Sequence, residues 1–315
     1  MSKLISIVTP TFNEELNIEK LCQLIPQKMK SLNYDYEHIV IDNSSTDLTI
    51  SILKKLAEKD KKLKVIINSR NFGHIKSPMH GILQAKGDAI IFMTSDFQDP
   101  IDLIDKYVTE WEKGHLVVMS QKNTSEENKN KHYIKNFFYK CLNYVSDVPL
   151  LINTTGAGLF DRKVVNEIKK LKDPYPYFRG LVSEITNDIK LIPFHQPKRK
   201  FGKTKNNIYT LYDIGILGLI KHSKIPLRVI TFIGLIASFL SFLVSLFFLF
   251  RKLFNWDSFD AGIAPLIVGL FMIASIQVFL LGFIGEYVMH ILIQTRNFPL
   301  VVEKERINFD DKLDD

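Results

Sequence analysis

The stretch "FMTSDFQDP", residues 92–100, sets two carboxylates, Asp96 and Asp99, directly after the apolar run "DAII". Acids at the carboxyl end of a buried strand face the edge where open α/β sheets bind their ligands. Three further apolar runs end in polar groups of the same kind: "TPTFNEE" with Asn13 and Glu14, "IDNSSTD" with Asp42, and "RNFGHIKSP" with Arg70, His74 and Lys76. A strand-end carboxylate accepts from a base N–H or a ribose hydroxyl. No G-x-G-x-x-G or P-loop follows the first strand, so phosphate charge must be met by a cation or by basic side chains. The histidines show no H-E-x-x-H spacing, and none is assigned to a metal.

These groups need a scaffold, and the sequence supplies one. From residue 4 to about 120, apolar runs ("LISIVT", "HIVIDN", "LKVIIN", "DAIIFMTS", "LVVMSQ") alternate with amphipathic stretches such as "EELNIEKLCQLIPQKMK" and "DLTISILKKLAEK". That alternation predicts a mostly parallel sheet covered on both faces, an α/β domain. Asp99-Pro100 reads as an N-cap followed by proline at N1 of the next helix. Asp96 is left as the stronger ligand, with a cap at that position as its alternative. After residue 120 come a polar stretch, "KNTSEENKNKH", then a helix, the strand "TTGAGLF" and a helix from Asp161.

Two stretches without charge, 229–250 and 261–285, are each longer than the roughly 20 residues that cross a bilayer core. They read as two transmembrane helices, against the alternative of two buried helices in a soluble core. Lys221, Lys224 and Arg228 precede the first and Arg296, Lys304 and Arg306 follow the second, which places both ends in the cytoplasm. The formal charge of +7 concentrates in "KRKFGKTK" and "KHSK", beside the first span, and fits lipid headgroups better than nucleic acid. The segment between them reads either as an interfacial helix or as a helix packed on the domain. Cys22 and Cys141 offer no disulfide framework, and no cleavable leader is visible.

Taken in order, "TPTFNEELNI", "IDNSSTDLT", "RNFGHIKSPMHGILQAKGDAIIFMTSDFQDP", "FRGLVSEI", "RKFGKTK" and "GEYVMHIL" resemble the motifs of family 2 glycosyltransferases with the GT-A fold. More narrowly they are similar to membrane-anchored polyprenyl-phosphate glycosyltransferases and dolichol-phosphate mannose synthase. The resemblance implies a GT-A domain over residues 1–206, an interfacial helix over 207–226, a two-helix transmembrane hairpin over 227–295 and a cytoplasmic tail over 296–315. It implies a nucleotide-diphosphate sugar bound by Pro10, Phe12, Asn13, Glu14, Asp42, Lys76, Asp96, Gln98, Arg199 and Lys205. Asp96 and Gln98 would hold Mg²⁺ or Mn²⁺, Asp96 and Arg199 would be catalytic, and Lys122 and Lys135 would face the acceptor phosphate. The implied reaction is inverting transfer to polyprenyl (undecaprenyl) phosphate at the inner membrane, for surface glycan biosynthesis. Transfer to another lipid or lipid-linked glycan and a non-catalytic scaffold or flippase partner are the alternatives. Glycines 282 and 285 would permit close helix packing in a homo-oligomer. The chain departs from the pattern at Thr94, where relatives place a second Asp, at Asn43, and at Gly156 and Gly158, where relatives carry an acid and an arginine.

Overall fold

The computed structural model describes residues 3–125, 151, 154–176, 178–197, 223, 225–254, 263–296 and 298–309. The chain opens as β1 (Leu4–Thr11), α1 (Ile18–Leu32), β2 (Asp35–Asp42), α2 (Thr49–Lys59), β3 (Leu63–Asn68), α3 (Gly73–Gln84), β4 (Ala89–Phe92) and α4 (Leu103–Glu112). It continues as β5 (Val117–Ser125), β6 (Thr154–Asp161), α5 (Arg162–Leu171), α6 (Phe178–Ile185) and β7 (Ile189–Gln196). Two long helices, α7 (Ile225–Phe254) and α8 (Ile263–Thr295), precede a last strand, β8 (Glu303–Ile307).

The described strands form one sheet in the order β7-β5-β6-β4-β1-β2-β3-β8. Strand β1 pairs in parallel with β2 on one side and with β4 on the other, so the winding reverses there and a crevice opens beyond the ends of β1 and β4. The alternation of side chains along each strand explains the two-sided core. Ile5 and Ile7 of β1 pack under α1 and α4 with Leu21, Ile25, Leu103 and Tyr107. Val8 points the other way, into a cluster with Met79 and Ile82 of α3, Val164 and Ile168 of α5, and Leu181 of α6.

The apolar pattern did not reveal direction. Strand β6 runs antiparallel between β4 and β5, opposing Phe92 with Gly158 and Val118 with Leu159. A Cβ at Gly158 would collide with the carbonyl oxygen of Val118 and lie 3.0 Å from the Cα of Met119. The arginine that the resemblance implies at this position has no room in this pairing. Residues 303–307, expected in a tail, instead form β8 on the edge of the sheet, antiparallel to β3.

Helices α7 and α8 expose apolar side chains that a soluble core would cover: Phe232 and Leu235 are 69% and 65% exposed, Val278 and Leu281 69% and 65%. Among the described residues, one stretch is long and apolar enough to cross a membrane, Ile276–Thr295, with a mean hydropathy of 1.8; Arg228–Ala237 is a shorter apolar helix. The expected interfacial helix over 207–226 lies largely outside the described residues.

Candidate active site

The four strand endings are tied into one rim by their own polar groups. At the end of β1, Asn13 takes a left-handed conformation with φ of 56°, a geometry asparagine tolerates better than most residues. That turn lets the Asn13 N–H donate to Ser45 Oγ at 2.8 Å, while its side-chain Oδ1 accepts from the N–H of Thr46 at 2.8 Å. The Glu14 N–H donates to Thr49 Oγ1 at 2.9 Å, and the Asn17 amide donates to the Glu14 carboxylate at 2.7 Å. Across the crevice, Ser95 donates to the carbonyl of Pro10 at 3.2 Å, joining the end of β1 to the loop after β4.

Asp42 closes the β2 ending and is fully buried. Its two oxygens accept from the Ser45 N–H at 2.8 Å and the Ser45 hydroxyl at 2.5 Å. Burial pushes the carboxyl up, against the pull of these bonds. Asn43 then reaches toward β3 and α3: its amide donates to Asn71 Oδ1 at 2.8 Å and to the Gly73 carbonyl at 3.2 Å. Its own Oδ1 accepts from Asn68 at 3.1 Å and from the Phe72 N–H at 2.9 Å. Asn68 also donates to Ser77 at 3.0 Å. An aspartate at 43 has no donor to give Asn71 and Gly73, so this departure from the relatives' pattern is built into the turn.

Two cations follow β3, Arg70 in the turn and Lys76 in the first turn of α3. Arg70 lies over the ring of Phe72 at 4.2 Å and Lys76 over Tyr175 at 5.6 Å. Partial burial, and then the repulsion of Arg70, hold the Lys76 ammonium below its ordinary pKa. Two cations this close together attract an anion, as a diphosphate is.

The loop after β4 carries the acids. Thr94 donates to Asp96 Oδ1 at 2.8 Å and lies 3.1 Å from Asp99 Oδ2, so one hydroxyl bridges two carboxylates. Asp99 does not cap α4: the helix begins at Leu103 with Asp102 in the cap position, and a turn from Pro100 to Leu103 precedes it. Asp99 instead turns inward and is 3% exposed, with no hydrogen-bond partner for Oδ1. Burial pushes its carboxyl up to about 6; the hydroxyls of Thr155 and Thr94 and the charge of Lys122 pull down, and Asp96 pushes up. Lys122 is thus brought to the acid end of the crevice.

The rim joins both sides of the point where the sheet reverses, and this core coincides with a known domain. A sequence model described as "Glycosyl transferase family 2" matches residues 6–169, about half of the chain. The chain belongs to glycosyl transferase family 2. It is 32% identical over 98% of its length to the "Uncharacterized glycosyltransferase YkcC" of Bacillus subtilis (strain 168), covering 95% of that protein. It is 29% identical to the "SfII prophage-derived bactoprenol glucosyl transferase" of Shigella flexneri, over 96% of this chain and 97% of that one. Among solved structures, the mannosyltransferase PcManGT of Pyrobaculum calidifontis, in complex with GDP-Man and Mn²⁺, aligns with a TM-score of 0.47 at 15% identity, covering 70% of this chain and 63% of that one.

In this family 2 glycosyltransferase, Pro10, Phe12, Asn13, Glu14, Asp42, Asp96 and Gln98 fall on or just after strand ends, and Lys76 lies in the first turn of α3. Lys122 stands on β5; Lys135, Arg199 and Lys205 lie outside the described residues. Sequence reasoning named Arg70 only as part of a strand ending and passed over Asn68, Asn71, Ser77 and Thr155, which read there as ordinary turn and strand residues. Among the described residues no group of three or more His, Cys, Asp and Glu side chains is placed to hold a metal ion. The donor set at Asp96, Gln98 and Thr94 is all oxygen, which suits a hard divalent ion that takes most of its ligands from substrate phosphates and water. The unpartnered Asp99 Oδ1 nearby leaves acceptor capacity in the same corner.

Proposed function

We propose that the enzyme transfers a sugar from a nucleotide-diphosphate sugar to a polyprenyl phosphate at the cytoplasmic face of the membrane. One observation carries this reading: the sheet that forms the crevice takes in strands from both sides of the apolar helices, β7 before them and β8 after. A chain whose ends return to one sheet crosses a bilayer an even number of times. This supports reading Ile276–Thr295 as one span and α7 as the other, a multi-pass hairpin that holds the crevice at the lipid surface. The bactoprenol glucosyl transferase of Shigella flexneri supports the choice of acceptor, since the match runs through the helices as well as the domain.

The acceptor phosphate is already anionic near neutral pH, so its oxygen attacks the anomeric carbon without a dedicated general base. The new phosphate–sugar bond forms as the bond from the anomeric carbon to the nucleoside diphosphate breaks, with inversion. This chain's part is to position both substrates and to offset charge. Arg70 and Lys76 meet the diphosphate, Asp42 and the β1 turn border the nucleoside, and Lys122 faces the incoming phosphate. Asp96 and Gln98 would hold Mg²⁺ or Mn²⁺, which when bound acts as a Lewis acid on the departing diphosphate. Arg199, Lys205 and Lys135 are assigned to the donor and acceptor phosphates on the resemblance alone.

The test is to incubate membranes carrying the protein with undecaprenyl phosphate and radiolabelled uridine- or guanosine-diphosphate sugars. A labelled polyprenyl product that Asp96→Ala abolishes is expected. No labelled lipid with any donor, in membranes where the protein is folded, overturns the reading.

A further inference from the structure

The segment that leaves α8 and folds back on the domain, residues 298–309, lies outside the part matched by the family. It grips α3 along one face. Met79 and Leu83 line a groove together with Phe298, Pro299 and Leu300. One position further round the helix, His80 Nε2 donates to Glu303 Oε1 at 2.5 Å, and Gln84 Oε1 accepts from Arg306 at 3.0 Å. Positions 79, 80, 83 and 84 share a helix face, so the return segment meets α3 as a continuous clamp. Glu303 is its hub, because Arg306 also donates to both of its oxygens, at 2.7 and 2.6 Å. Burial pushes the Glu303 carboxyl up, but the bonds from His80 and Arg306 win and bring it down to about 2.

The same segment reaches the donor rim. Glu303 pairs with Asn68, the strand-end residue that bonds Asn43 and Ser77, and the Ser69 N–H donates to the Val302 carbonyl at 2.9 Å. The clamp therefore holds both ends of the turn that carries Arg70 and the helix that carries Lys76. Lys76 lies one helical turn before His80, and a helix transmits a displacement over one turn almost as a rigid body.

We infer that the return segment is a positioning element of the donor crevice: by fixing α3 through Glu303 and Ser69 through the Val302 carbonyl, it sets where Arg70 and Lys76 meet the donor diphosphate. The inference rests on the reading of this crevice as the donor site. Its consequence is that donor affinity depends on residues of the chain beyond the membrane helices, with no contact between those residues and the substrate.

The experiment uses the full chain in detergent micelles with Mn²⁺, and measures binding of UDP-glucose and GDP-mannose by calorimetry alongside donor KM and kcat. Glu303→Ala is compared with Glu305→Ala, which removes the other β8 ion pair, to Lys54 at 2.6 Å on the α2 side. Glu303→Ala is expected to weaken binding of the preferred donor and raise its KM at least tenfold, with kcat within twofold and acceptor KM unchanged. Glu305→Ala keeps donor affinity at the wild-type value. Should Glu303→Ala fail to fold, Gln84→Ala removes only the contact to Arg306 and is expected to raise donor KM by a smaller factor at unchanged kcat. Wild-type donor affinity in both α3-side variants, or a loss of kcat and both KM values in common with Glu305→Ala, overturns the inference and leaves the donor reading standing. A wild-type chain that binds neither nucleotide sugar overturns the donor reading, and the inference with it.

Discussion

Asp99→Asn tests the electrostatics of the acid corner. The wild-type carboxyl titrates at about 6 in the fold against an ordinary value of 3.8. The fold thus favours the protonated form, so this group's contribution to stability is complete below pH 3.8 and is lost as pH rises through 6. A difference of about two pKa units amounts to about 3 kcal/mol between those limits. Asparagine keeps the shape and removes the charge. The variant should therefore be more stable than wild type by up to about 3 kcal/mol at pH 8, with the gap closing toward pH 4. For a domain of this size that is roughly 6–12 °C in Tm. Thermal melts of the full chain in detergent with a chelator, at pH 5, 6.5 and 8, read the effect directly. An equal Tm difference at pH 5 and pH 8, or a destabilised variant at pH 8, would refute the argument that burial holds Asp99 up.

Three other substitutions probe neighbouring contacts. Thr94→Asp sets a third carboxylate within reach of Asp96 and Asp99, where two like charges at 4 Å repel by about 4 kcal/mol at an effective dielectric of 20; its melt should fall by several degrees in chelator and recover with Mn²⁺, with calorimetry showing tighter metal binding than wild type. Unchanged metal affinity would mean that position 94 does not face the ion. Asn43→Asp strips the donors from Asn71 and Gly73, which should cost about 1–3 kcal/mol in denaturant unfolding and raise donor KM. Gly87→Ala drives a Cβ to 2.6 Å from the backbone N of Ser6, and overpacking of that kind should cost about 1–3 kcal/mol or more with donor KM unaffected.

The strand endings were legible because their signal is periodic: buried strands read as apolar runs, and the residues at the carboxyl end of each run must lie at one edge of a parallel sheet. Asn13, Asp42, Arg70 and Asp96 were legible for that reason. Strand β6 was legible as a strand but not in its direction, since "TTGAGLF" is apolar either way and only the Cβ-free approach of Gly158 to Val118 marks the crowding. Asp99 misled because Asp-Pro signals a helix start whether the carboxylate caps it or turns inward, and the choice depends on Thr94 and on Thr155, which β6 brings in from far along the chain. The asparagine network was invisible because Asn43, Asn68 and Asn71 read singly as turn residues. Strand β8 was missed because "EKERI" has almost no apolar content; its pairing is specified by partners some 240 residues earlier, such as the Ala57 and Leu63 carbonyls that accept from Asn308 at 2.7 and 2.8 Å.

That late strand also constrains biosynthesis. The edge of β3 leaves the ribosome with its backbone groups unpaired, and its partner is made some 240 residues later. At about 5–20 residues per second, roughly 10–50 s separate the two, an interval in which both apolar helices must be placed. Throughout it the nascent domain presents an open β-edge, the feature that invites strand exchange with a neighbouring chain. Once β8 docks, the edge becomes Glu303, Lys304, Glu305 and Arg306, a row of alternating charges that a second sheet cannot extend without burying them. Completion of the sheet is thereby deferred until both apolar helices have been made, and a chain stalled before that point carries an uncapped edge.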